Sequence, residues 1–403
     1  MTIFNKGIFS LCVVFIAFTI LITGCEDPGS VGSEFVESPQ LTFDTLNVEQ
    51  TELLSYSGYS GGLNFIPMGY YSDALFGEVN AIGLFRPIRT LAVSDTIEIK
   101  EDFDLKLQLQ IDSLEVYGDT LSTAGYSVRE VSSIWRENAL TIDYDIQLGN
   151  EIGQFTISPD QDQVTIDLSD AWVDEYKTWY FSELSRPDSA YSLDFNGLAI
   201  VPDQQSSKIS FAQASSSRFM LINYTAPDTT DTLTVSLKDH GYILDRSGQV
   251  ISPNTVPIHT TLEGMLNITL PVAELEAQAA GNNIIRVDLV FYEARTELES
   301  SLPTNHSRLP LNSVNFDLYE SFEPAFEYQF GQVEFRGTAD PDEDLFRANI
   351  TTFVNNILYG EETRNRLVLG AGLTSGAVRS SLFYDITAPE NVRPKIIITS
   401  LED

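Results

Sequence analysis

Thiols are almost absent from this chain of 403 residues, which has two, Cys12 and Cys25. So few exclude a disulfide framework and a cysteine-built metal site. Histidine is nearly as scarce, with His240, His259 and His306 lying far apart. They form no His-x-His or His-Glu-x-x-His pattern, and the chain has no Gly-x-Ser-x-Gly elbow, phosphate-cradling glycine loop or dinucleotide fingerprint. Base is short too: 23 Lys and Arg stand against 58 Asp and Glu, a formal charge of −35. Phosphate backbones repel such a chain, so no nucleic-acid partner is expected. Past Ile22 the chain also lacks any apolar run of about 18 residues, the sign of a spanning helix.

What is present begins at the N-terminus. Lys6 precedes the apolar stretch Ile8 to Ile22, "IFSLCVVFIAFTILI", and a small residue precedes Cys25, the layout of a secretory signal. At 15 residues the stretch is short for a membrane span, which needs about 20. Ile22-Thr23-Gly24-Cys25 resembles the bacterial lipobox. That resemblance implies that Cys25 is alkylated with a diacylglycerol and becomes the first residue after cleavage, a reaction suited to a soft sulfur nucleophile. Several acyl chains, each buried methylene contributing about 0.8 kcal/mol, would hold the protein to a membrane without a spanning helix. Cys12 would leave with the signal, and loss of Lys6 would bring the charge to −36.

"EDPGSVGSEFVESP" (Glu26 to Pro39) reads as a flexible tether. Beyond it, 43% hydrophobic residues with 24 Phe and 17 Tyr argue for large cores rather than disorder. The pattern there is mostly period two. "LKLQLQIDSLEVYGD" (Leu105 to Asp119) places Leu105, Leu107, Leu109 and Ile111 on one face, as in a half-buried strand. "YSVREVSSIW", "ALTIDYDIQL", "QVTIDLSD", "LDFNGLAIVP", "KISFAQA" and "RFMLINY" read as further strands between turn residues.

The order of elements repeats. Val164 to Leu184 gives a strand leading into an amphipathic helix, with Asp170 as N-cap and Trp172, Val173, Tyr176 and Tyr180 on one face. Leu345 to Glu362 repeats the step, with Phe353, Ile357 and Leu358 as the apolar stripe and Gly360 as C-cap. The tails share Thr-Ala-Pro-acid, at Thr225 to Asp228 and Thr387 to Glu390. The expected architecture is mainly β: a signal over 1–24, a tether over 25–39, and two tandem jelly-roll-like β-sandwich units over 40–227 and 228–403, each with one short helix.

This order of parts resembles envelope lipoproteins of the Bacteroidetes, the domain-of-unknown-function family numbered 4270. The likeness rests on the lipobox, on Gly69, Asp73, Phe76 and Gly77 within "MGYYSDALFGEVNA", on "FNGLAIVP" (Phe195 to Pro202) and on "FMLINY" (Phe219 to Tyr224). Trp135-Arg136-Glu137 ahead of Leu140-Thr141 is also similar to bacterial jelly-roll modules of the carbohydrate-binding sort. The resemblance implies a location, in the cell envelope and anchored to the outer membrane at the surface or the periplasmic face. It implies no activity.

Candidate chemistry is sparse. Glu137 beside Trp135 is the acid and aromatic pair to test for a glycan ligand. Asp340, Asp342 and Asp344 cluster in "ADPDEDLF" and offer the hard oxygens calcium takes, though glycine is missing from the sixth position of an EF-hand loop and Thr351 stands at the twelfth. Trp172 is expected in the core, with Trp179 near the same stripe. No catalytic residue is assigned. The expected function is non-catalytic: an envelope lipoprotein binding a glycan or another envelope protein. The alternatives are an assembly partner of an outer-membrane secretion or uptake system, and a two-carboxylate glycan hydrolase.

Overall fold

A computed structural model describes residues 40–91, 97–226, 229–317, 335–340, 343–360, 362–372 and 375–402. Ile22, Thr23, Gly24, Cys25 and the tether lie outside the described residues, as does Asp342. The fold is mainly β, two curled antiparallel sheets with a few short helices. The alternating runs become strands because every second residue has a core to enter. In Phe103–Asp119 the side chains of Phe103, Leu105, Leu107 and Leu109 are buried while Asp104 and Lys106 are half-buried. The two expected helices form at Asp170–Tyr180 and Thr351–Tyr359, beside shorter ones at Pro187–Asp194, Val272–Ala279 and Arg295–Ser300. Ser169 rather than Asp170 takes the N-cap position. Among the described residues no helix is long and apolar enough to cross a membrane.

The duplication is visible in the strand pairing. The long strand Phe103–Asp119 lies between Gln163–Asp167, which runs into the helix Asp170–Tyr180, and Arg218–Ala226. Asn283–Tyr292 holds the matching place between Leu345–Asn349, which runs into Thr351–Tyr359, and Lys395–Glu402. Register agrees as well: Pro67 faces Phe211 in one unit and Pro257 faces Leu382 in the other. The units do not part at residue 228, however. Thr229–Val235 and Leu237–Ser247 pair with Arg218–Ala226 and Gly77–Pro87 of the first unit. Gln40–Asn47 and Gln50–Ser55 pair with Lys395–Glu402 and Gly264–Thr269 of the second. The physical reason is that the neighbour able to satisfy an edge strand's backbone groups need not be near in sequence. The two Thr-Ala-Pro runs are not equivalent either, because Thr225 ends a strand while Thr387 precedes the last one. "ALTIDYDIQL" is mostly irregular, with a single bridge at Thr141: the Asp143 carboxylate accepts from Thr141 and Ser57 hydroxyls, a local alternative to a ladder.

A buried ionic knot joins the units. Asp73, fully buried, accepts at Oδ1 from the Leu75 and Phe76 backbone N–H groups at 2.8 and 3.0 Å and from Arg308 Nη2 at 2.7 Å. Its Oδ2 accepts from Arg308 Nε and from the Tyr117 hydroxyl, both at 2.9 Å. The Arg308 guanidinium also lies over the Phe76 ring, 5.0 Å from its centroid. Burial pushes the Asp73 carboxyl up, but the hydrogen bonds and charge of Arg308, with the two N–H groups, hold it below the ordinary range. Beside it Arg246 pairs with Glu263 at 2.9 Å, and His259 meets Phe76 edge-on. Gly77 makes the turn possible at φ +74°, where a Cβ would lie 2.0 Å from the Ser247 carbonyl oxygen. Gly77→Ala is therefore expected to destabilise by more than the roughly 1–2 kcal/mol of a left-handed backbone alone, read as a lowered urea midpoint.

Candidate functional site

Trp135 is core. It is 1% exposed, its indole N–H donates to the Asn196 carbonyl at 2.7 Å, and Arg86 lies over its ring. It therefore presents no face on which a sugar could stack. Glu137 starts a single helical turn, Glu137–Ala139, and turns toward His240: its Oε2 accepts from the His240 backbone N–H at 3.1 Å and lies 3.2 Å from Nδ1. The other ring nitrogen of His240 sits 3.1 Å from the Leu63 carbonyl. Asp239 accepts from the Glu137 backbone N–H at 3.4 Å and pairs with Arg86, the cation over Trp135, so the acid meets the tryptophan only through this link. Trp172 is buried as expected, and Trp179 packs edge-on against Tyr191. In the acidic loop Asp344 pairs with Arg295 at 2.5 Å and Glu343 with Arg347 at 3.9 Å, charges that calcium would have to displace. Among the described residues no group of three or more His, Cys, Asp or Glu is placed to hold a metal ion.

A different place gathers polar groups. Between the pairs Ser210–Val116 and Ala212–Ile111, the strand Lys208–Gln213 advances two residues while its partner advances five. The surplus residues of Phe103–Asp119 leave the ladder as a bulge, the kind of irregularity that re-aims side chains. Leu114, at its tip, is 92% exposed. Asp112 ties the bulge down, accepting from Leu114 N–H at 3.1 Å and from the Gln213 side-chain amide at 3.3 Å. Glu115 reaches across to Arg379 of the second unit. From that unit too comes His306–Ser307, which pairs with Asp119 and Gly118 and sits next to Arg308 of the ionic knot.

Bulge and junction together enclose a cavity of about 200 Å³. Its polar lining includes Lys208, Ser210, Asp112, Asp160 and Ser307, and its apolar lining includes the exposed Leu114 and Leu121. Lys208 is the unusual member. It is 2% exposed, donates to the Ser122 carbonyl at 2.6 Å, and among the described residues forms no ion pair. Burial lowers its pKa, with Asp119 and Asp160 acting in opposition. An ammonium carries three N–H groups, of which the Ser122 carbonyl takes one. Ser210 is held by the Tyr126 hydroxyl at 3.2 Å. The cavity is smaller than the roughly 300–1,000 Å³ of drug-sized pockets, so it suits one small ring.

Sequence reading missed this site because its members come from five separated segments. The one signal was a lysine heading the strand-like run "KISFAQA". Fold and cavity define a duplicated β-sandwich protein with a pocket at the junction of its units. No protein-family model matches the chain, and no curated protein matches it.

Proposed function

We propose that the chain is a non-catalytic lipoprotein of the bacterial cell envelope, of the Bacteroidetes kind it resembles, anchored to the outer membrane through Cys25 and binding a glycan. The junction cavity holds one neutral sugar residue. The observation that carries this reading is the balance of its lining: Lys208 donates, Asp112 and Asp160 accept, Ser210 does either, and Leu114 and Leu121 are apolar. Adjacent sugar hydroxyls ask for that mixture of donors and acceptors, and the C–H faces of the ring ask for the apolar side chains. A carboxylate or phosphate ligand would meet Asp112 and Asp160 at close range, which favours a neutral one.

Two measurements test the two halves. Mass spectrometry of the native N-terminal peptide should find Cys25 acylated, and an unmodified Cys25 would overturn the anchoring. A glycan array probed with the detergent-solubilised full chain should give hits that Lys208→Met loses. Blank arrays, or the same hits from both proteins, would overturn the binding site.

A further inference from the structure

Each unit is finished by the same element, two strands in quick succession that pair with different parts of the unit. In the first it is Thr229–Val235 and Leu237–Ser247, and in the second Gln40–Asn47 and Gln50–Ser55. The leading strand pairs with Arg218–Ala226 in one unit and with the equivalent Lys395–Glu402 in the other. The following strand pairs with Gly77–Pro87 and with Gly264–Thr269, and these match in turn, being neighbours of Leu198–Pro202 and Arg366–Ala371. The sequence agrees independently: Asp44-Thr45-Leu46-Asn47-Val48 repeats as Asp231-Thr232-Leu233-Thr234-Val235, with one difference. Val48 and Val235, the ends of the two runs, are both buried.

The two closures differ in how they are tied. Residues 229–247 follow directly from the unit they complete. Residues 40–55 come from the far end of the chain and continue into the first unit, although they complete the second. They are also lightly held. Leu41, Phe43 and Leu53 are 55%, 70% and 45% exposed, so that of the apolar side chains in the leading strand only Leu46 joins Val48 against the core. Backbone pairing carries most of the attachment, and a segment with so little apolar burial opens before the rest of the fold.

We infer that residues 40–55 form a detachable clasp, and that the surface it uncovers on Lys395–Glu402 and Gly264–Thr269 accepts the same segment from a second copy of this chain. The acceptor is already complementary to that sequence. Its own clasp stays attached to the first unit and is free to close a neighbour in return, which gives a closed two-fold exchange. Leu41 and Phe43 stand exposed on an edge strand whose one charge is Asp44 and which carries neither Lys nor Pro, two of the residues that block edge pairing.

The test uses the full chain with Thr45→Cys and Ile397→Cys, which face each other in the ladder. A fluorescent peptide of residues 40–56 is added to the reduced and the oxidised protein, and oligomeric state is followed by light scattering after concentration. The reduced chain should take up peptide and form dimers slowly, and oxidation should abolish both. Amide exchange of wild-type residues 40–55 should be at least about tenfold faster than that of Phe103–Asp119. No uptake by the reduced chain, uptake indifferent to the lock, or equal protection of the two segments would each overturn the inference.

Discussion

Replacing Asp73 by alanine is expected to destabilise the folded chain by about 3–5 kcal/mol, the range for removing one partner of a buried ion pair. The reason lies less in the attraction lost than in what is left behind. Arg308, 5% exposed at its side chain, would keep a charge with no counterion, and the Tyr117 hydroxyl and two backbone N–H groups would lose their acceptor. Asp73→Asn should cost less, because an amide oxygen still accepts from part of the set. Adding Arg308→Met to Asp73→Ala should recover some stability by removing the orphan charge. Urea unfolding of the four proteins reads this directly. Single and double variants that differ from wild type by under about 1 kcal/mol would show that the knot does not hold the units together.

Acid should weaken the same region through His259. This ring is buried beside Arg246, with Nδ1 2.8 Å from Ser380 Oγ and Nε2 3.4 Å from the Gln249 amide nitrogen. Burial, and then the charge of Arg246, lower its pKa from 6.5 to about 3. The sign follows: below pH 6.5 the unfolded chain takes up a proton at this position while the folded chain does not. Stability from this group is thus complete above pH 6.5 and lost as pH falls toward 3. The slope is about 1.4 kcal/mol per pH unit, or roughly 2.7 kcal/mol between pH 6.5 and 4.5. Glu263 and Asp73 have lowered values as well, so they add their own loss at lower pH. His259→Gln should flatten the profile by about that amount in the upper window. Parallel profiles for the two proteins would mean that this histidine does not report burial.

Local pattern was legible in the sequence, and long-range pattern was not. The helix Asp170–Tyr180 could be read because Trp172, Val173 and Tyr176 follow a 3.6-residue period and all three are buried. The duplication could be read because a strand running into a helix is a local event. The exchange of residues 40–55 could not, since alternation tells a strand which face to bury and not which neighbour to pair with. The Asp-Thr-Leu-x-Val repeat was the available clue. The bulge at Asp112 to Glu115 was hidden because apolar residues at Ile111, Leu114 and Val116 continue to look strand-like. Trp135 and Glu137 misled for a simple reason: adjacency in sequence put them two residues apart, yet one side chain enters the core and the other meets His240 at the surface. Lys208 became visible only once its strand met the bulge and Ser307 of the other unit.

The most direct measurement is a crystal structure of the full chain grown with the saccharide that gives the strongest array signal. The expected result is a sugar ring between Leu114 and Leu121, with a hydroxyl within hydrogen-bonding distance of Lys208 Nζ. A ring bound anywhere else, with this cavity empty, would contradict it.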